Sequence, residues 1–215
     1  MPKLPLIPLS FISADVHSRG ELSIISRFNQ FKDSLLFPFT SLLQLAHIKP
    51  IYLSLAGIIV LLFTLTLSLL LNQPFYFLIG LLAHLILDGL DGPLARRQKT
   101  TIHGALADVT ADHIGIITTS LFVSYFNYAS PPLAIIYTLL YTTVITLAII
   151  RNAFKIPYQF LFRPRLYIYL ALAIDYSFNF WLTGPALLLS SFLLLLPTVT
   201  GTTSLLRYKI YQRLN

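Results

Sequence analysis

The sequence predicts an all-α integral membrane protein: a bundle of six transmembrane helices preceded by an N-terminal cytoplasmic interfacial helix. Three observations predict it. Of the 215 residues, 56% are hydrophobic and only 11% charged, with a mean hydropathy of +0.75. That balance suits a small helical membrane protein and excludes an ordinary soluble domain. Apolar runs of bilayer-spanning length recur along the chain. All 15 Lys and Arg residues fall at alternate breaks between those runs.

The elements follow in order. Residues 1–48 form an N-terminal cytoplasmic or interfacial segment. Within it, 22–46 carry Ile24, Phe28, Phe31, Leu35 and Leu36 at roughly helical spacing, the pattern of a helix lying in the membrane surface. Residues 49–215 form the membrane domain. Spans are expected at 51–71, 75–98, 102–125, 132–150, 166–183 (a shorter run) and 185–206. Pro50 reads as a first-turn residue of the first span. The basic residues sit in the N-terminal region (Lys3, Arg19, Arg27, Lys32, Lys49), the second junction (Arg96, Arg97, Lys99), the fourth (Arg151, Lys155, Arg163, Arg165) and the tail (Arg207, Lys209, Arg213). With six spans these places share one side, and the positive-inside rule makes that side, and both termini, cytoplasmic. No targeting segment is visible, so a prokaryotic cytoplasmic membrane is the expected location.

Charge and composition narrow the partners. The net charge of +7 lies between apolar runs, which favours anionic headgroups and phosphate substrates over nucleic acid. The absence of cysteine excludes disulfides and thiolate metal sites.

The chain has eight acidic residues, and four of them, Asp88, Asp91, Asp108 and Asp112, crowd into 25 positions of otherwise membrane-like sequence. Ionised carboxylates there are costly unless something neutralises them. Asp88 and Asp91 share one helix face, and Asp108 and Asp112 another. A turn near 99–101 folds the two helices back, bringing both pairs to similar depth. Asp91 and Asp108 then lie roughly 12 Å from the turn, near the membrane surface. Hard divalent cations take all-oxygen ligands and keep positions for phosphate oxygens. Two ions about 3.5–4 Å apart would clamp a diphosphate. The alternative is a set of helix-end charges balanced by nearby Lys and Arg. Gly92, Ala95 and Gly104 keep the hairpin narrow, for a ligand or for helix packing. Arg96 is within reach of the Asp88 face to hold phosphate or a carboxylate. His84, one turn before Asp88, and His103 and His113 are read as non-ligands, and His17 and His47 lack a partner pattern.

The stretch DGLDGPLARRQKTTIHGALADVTAD, residues 88–112, resembles the signature of the CDP-alcohol phosphotransferase (CDP-alcohol phosphatidyltransferase) family, D-x2-D-G-x2-A-R followed by G-x3-D-x3-D. Asp88, Asp91, Gly92, Ala95, Arg96, Gly104, Asp108 and Asp112 fill its eight defining positions. The resemblance implies transfer of a phosphatidyl-type group from a CDP-alcohol lipid to an acceptor hydroxyl, with release of CMP, by a homodimeric membrane enzyme. It implies one or two Mg2+ or Mn2+ ions, two being expected here, held by the four aspartates. Gly92, Ala95, Arg96 and Gly104 would line the CDP site, and Asp112 would be the general base. Many members carry a P-N-x2-T element near the first span. Here the corresponding residues are Pro50 to Ser54, with Ile51 in place of the amide and Ser54 keeping a hydroxyl for the nucleotide pocket.

Acceptors in this family include glycerol phosphate, inositol phosphate and unphosphorylated alcohols. A phosphorylated acceptor needs a second cationic pocket, and Arg151 and Arg163 are its candidates. Lys155 and Arg165 are read as topology anchors. Two other classes compete. Membrane prenyltransferases also place aspartates and metal around a diphosphate, but over more spans and with widely separated motifs. A non-catalytic ion-binding or transport protein would carry its acids near the midplane, reached from both sides.

Overall fold

A computed structural model describes residues 30, 32–98, 101–154, 156–158, 161 and 164–214, without the side chains of 102 and 208–214. Among the described residues the chain is helical and contains no strand. The first part of the expected interfacial helix lies outside them. Its later part is helical at 32–35, turns at Leu36 and continues as α1, Phe37–Leu45.

Local sequence explains the element boundaries. Helix α2 runs Pro50–Leu71 and starts on a proline in its first turn, whose fixed φ suits that position. It stops at Asn72, which adopts a left-handed conformation (φ 51°) that asparagine tolerates. The Gln73 amide then donates to the Ser68 carbonyl at 3.0 Å. Only Gln73 separates that cap from α3, Pro74–Gln98, so the two helices must return antiparallel. Helix α4, Ile102–Tyr125, is capped by Thr101, whose hydroxyl accepts from the Gly104 amide at 3.1 Å. Helix α5 spans Pro131–Ala153, α6 Arg165–Phe178 and α7 Thr183–Leu214.

Five of these, α2, α3, α4, α5 and α7, are long and apolar enough to cross a bilayer. Helix α6 has 14 residues, about 21 Å at 1.5 Å each, against roughly 30 Å of hydrocarbon. The fifth expected span, 166–183, is thus a helix but a short one, and five rather than six helices have spanning length among the described residues: the run breaks at Asn179 (φ 56°), and Trp181 is also left-handed (φ 58°). Asp175 holds this corner. It is buried, and its two carboxylate oxygens accept from the Leu182 and Thr183 amides at 2.5 and 2.7 Å, which caps α7. The outer surfaces of the long helices expose Ile59, Leu70, Phe192 and Leu196, a lipid-facing rather than water-facing coat.

Small residues set the helix spacing. A Cβ at Gly80 of α3 would overlap the Thr64 side chain of α2, so these helices meet at backbone distance. Phe77 and Phe122 stack at 4.3 Å, joined by Phe126 and Tyr128, and fill the end remote from the aspartates. Helix α3 packs mainly on α2, and α4 packs on α2 and α5, whereas α3 and α4 touch each other only sparingly. The two aspartate-bearing helices therefore flank α2 and leave space between themselves.

Candidate metal and diphosphate site

The aspartates occupy that space. Asp88 and Asp91 come from α3, and Asp108 and Asp112 from α4. Carboxylate oxygens of Asp88, Asp108 and Asp112 lie within 4.8 Å of one another. Asp91 is turned toward α2, buried, and its Oδ2 accepts from the Ser54 hydroxyl at 2.8 Å. Three of the four predicted ligands thus converge directly, and the fourth is fixed at their side by a hydroxyl from the neighbouring helix. An all-carboxylate set at this spacing fits a hard divalent cation, which prefers oxygen donors.

One cation reaches the cluster from within the chain. Arg165, the first residue of α6, pairs through Nη2 with Asp88 Oδ2 at 3.1 Å and through Nη1 with Asp112 Oδ1. The sequence assigned Arg165 to anchoring. Its contact with Asp88 bridges 77 positions, and no local pattern announces a pairing of that range. The available signal was its position immediately before the apolar run 166–183, at the same junction as Arg151 and Arg163.

The other signature residues have defined surroundings. A Cβ on Gly92 would meet only the Arg96 Nη1, at 3.5 Å, and one on Gly89 nothing within 4 Å, so this part of α3 presents open backbone. Pro93, inside α3, has no N–H to offer the Gly89 carbonyl. Ala95 is half-buried one turn further on. Gly104 is the residue whose amide Thr101 caps, and a Cβ there would press that hydroxyl at 3.2 Å.

Arg96, expected to hold phosphate or a carboxylate, has a carboxylate partner in Asp33. Its Nε donates to Asp33 Oδ2 at 3.0 Å, and its Nη2 pairs with Asp33 Oδ1. That hydrogen bond holds the Asp33 carboxyl below its ordinary value of 3.8. Arg97 lies over the Phe37 ring at 4.3 Å and donates to Ser41 Oγ at 3.0 Å, and Gln98 donates to the Ile48 carbonyl at 2.9 Å. The N-terminal segment is therefore clipped to the end of α3. Sequence reasoning did not single out Asp33 for this.

Of the acceptor candidates, Arg151 lies in the last turn of α5 and is 8% exposed, with its guanidinium over the Tyr158 ring at 4.3 Å. Its Nε and Nη1 are buried without a hydrogen-bond partner. Tyr158 donates to the Pro197 carbonyl at 2.7 Å and fills the place a side chain on Gly201 would take, tying the fourth junction to α7. Burial raises the Tyr158 phenol pKa, and the Arg151 charge opposes that shift. Arg163 lies outside the described residues. His84 is buried between α2 and α4: a Cβ on Gly57 would meet its Nδ1 at 2.8 Å, and one on Gly115 its Nε2 at 3.3 Å. It packs where glycines admit it.

Comparison with known proteins gives one result. The family model described as CDP-alcohol phosphatidyltransferase matches residues 47–202. No curated protein and no solved structure matches the chain. The matched region contains α2 to α6, all four aspartates and most of α7, which is well over half of the sequence. With the carboxylate cluster lying inside that match, this chain belongs to the CDP-alcohol phosphatidyltransferase family.

Proposed function

We propose that the chain transfers a phosphatidyl-type group from CDP-diacylglycerol, or a similar CDP-alcohol, to the hydroxyl of glycerol phosphate or inositol phosphate, releasing CMP in phospholipid biosynthesis. The observation that carries this reading is the convergence of Asp88, Asp108 and Asp112 oxygens within 4.8 Å, beside a Ser54-held Asp91, inside the family match.

Asp88, Asp91, Asp108 and Asp112 would hold Mg2+ or Mn2+, two ions in the full site. Bound there, the ions supply positive charge to the donor diphosphate as its bridge breaks. Gly92 and Ala95 keep α3 low so the nucleotide can lie against it, Gly104 does so at the start of α4, and Arg96 offers its fork to the CDP once Asp33 yields it. Asp112 takes the proton of the acceptor hydroxyl as that oxygen forms its bond to the phosphorus next to the lipid alcohol. The bond from that phosphorus to CMP breaks at the same centre. Arg151, buried with two unfilled donors, would receive the acceptor phosphate with Arg163. Both termini and the site would face the cytoplasm of a prokaryotic cell, by the distribution of Lys and Arg. A homodimer is the expected assembly.

The test is CMP release by the purified protein in detergent from CDP-diacylglycerol, and then from an isoprenoid ether analogue, across a panel of phosphorylated and unphosphorylated acceptors. Release dependent on one acceptor establishes the reaction and names the acceptor. Silence with every pair, from folded protein, removes the proposal.

A further inference from the structure

We infer that Arg165 is a built-in counter-cation which holds the carboxylate cluster together before metal binds and must leave it when metal enters. The inference rests on the metal reading above. The carboxylates of Asp88, Asp108 and Asp112 lie within 4.8 Å of one another, where like charges repel. The Arg165 guanidinium meets two of them with different nitrogens, Nη2 on Asp88 and Nη1 on Asp112. Its side chain is 14% exposed, so water screens these contacts little. One planar fork thereby joins α3 to α4, two helices that otherwise barely touch.

The same oxygens cannot serve a divalent ion and a guanidinium equally. Both cations seek the same lone pairs, and at contact distance they repel each other. Metal entry therefore displaces Arg165 from at least one carboxylate. The displaced group stays close, because Arg165 is the first residue of α6 and follows Pro164, which fixes its own backbone φ. Its freed nitrogens are left beside the cluster, where the donor's diphosphate oxygens arrive. Arg165 thus acts at two stages: it competes with metal in the empty protein and positions the donor in the loaded one.

Two measurements test this on the full chain in detergent after chelator treatment. Mn2+ binding by the metal-free protein is followed by calorimetry or electron paramagnetic resonance, and donor KM is measured at saturating metal. Arg165→Gln is expected to lower the unfolding temperature of the metal-free protein, yet to tighten Mn2+ binding on the order of 10-fold, since two partly buried ion pairs no longer need to break. Donor KM rises in the same variant. Arg97→Gln removes an equal charge from the same end without touching the cluster, so its Mn2+ affinity stays within about 2-fold of wild type. Arg165→Lys, which keeps the charge but lacks the fork, falls between wild type and Arg165→Gln and serves if the glutamine variant does not fold.

Equal or weaker Mn2+ binding in the Arg165 variants, or equal tightening by Arg97→Gln, overturns the competition. Unchanged donor KM overturns the second stage. A wild-type chain that binds no Mn2+ overturns the metal reading itself and the inference with it, an outcome distinguishable because the metal-free stability difference would persist without any metal response.

Discussion

Removing one hydroxyl should weaken metal binding without touching a metal ligand. Ser54 and Asp91 are both buried, at 4% and 6% exposure, and Ser54 Oγ donates to Asp91 Oδ2 at 2.8 Å. In Ser54→Ala the carboxylate loses the donor that fixes its rotamer and offsets its burial. A hydrogen bond to a charged group is worth about 1.5–3 kcal/mol, or roughly 10- to 150-fold in an equilibrium constant. Partners that orient metal ligands are worth about 10–100-fold in affinity, which agrees. We therefore expect Mn2+ affinity to fall by about 10- to 100-fold, and the metal concentration for half-maximal CMP release to rise in parallel. Ser54→Thr keeps the hydroxyl and should recover most of the loss. Calorimetric Mn2+ titration of the three proteins in one detergent measures it. Affinity in Ser54→Ala within about 2-fold of wild type would refute the claim that Ser54 orients a ligand, and would return it to the nucleotide pocket that the resemblance suggested.

Other consequences are equally open to measurement. Asp112→Asn should lower the CMP release rate by about 10²–10⁴-fold if Asp112 is the proton acceptor, and an unchanged rate would move that role elsewhere. Arg151→Gln should raise KM for a phosphorylated acceptor by at least about 10-fold and leave donor KM unaltered, because only the acceptor phosphate would meet that guanidinium. Asp175→Ala removes the acceptor of two α7 amides and should destabilise the protein by about 1–2 kcal/mol in thermal unfolding, with little effect on metal affinity. The Asp33–Arg96 clip has a definite pH signature. Since the folded pKa of Asp33 lies below 3.8, the clip contributes fully above that value and is lost as pH falls through the folded value. A spin label at exposed Ser34 should keep constant mobility from pH 8 to 5 and loosen only below about 4, whereas Asp33→Asn should be loose throughout. Loosening between pH 7 and 5 would assign the clip to another group.

The sequence revealed most of the helices because bilayer-length apolar runs are local, repeated signals. The four aspartates do lie on two successive helices, α3 and α4, because apolar runs of that length are local signals, whereas the turning of Asp91 toward α2 is not. What the sequence missed depends on packing between distant segments. The fork of Arg165 on Asp88 and Asp112, and that of Arg96 on Asp33, each join residues far apart in the chain. The composition of a junction cannot say which of its four basic residues turns inward. Ser54 was noticed for its hydroxyl and associated with nucleotide, whereas its partner is Asp91; only the packing of α2 between α3 and α4 brings the two together. The shortness of α6 was partly visible as a weaker run, and its cause is the left-handed Asn179 with Asp175 capping the next helix.

The most direct test of the central claim, that these carboxylates hold metal for transfer from a CDP-alcohol, is a magnesium titration of CMP release from CDP-diacylglycerol by wild type and Asp108→Asn, with the acceptor fixed. The account predicts no release after chelation, recovery with Mg2+ in the wild type, and a curve displaced to far higher Mg2+ or abolished in the variant. Release that persists in chelator, or superimposable curves for the two proteins, would contradict it.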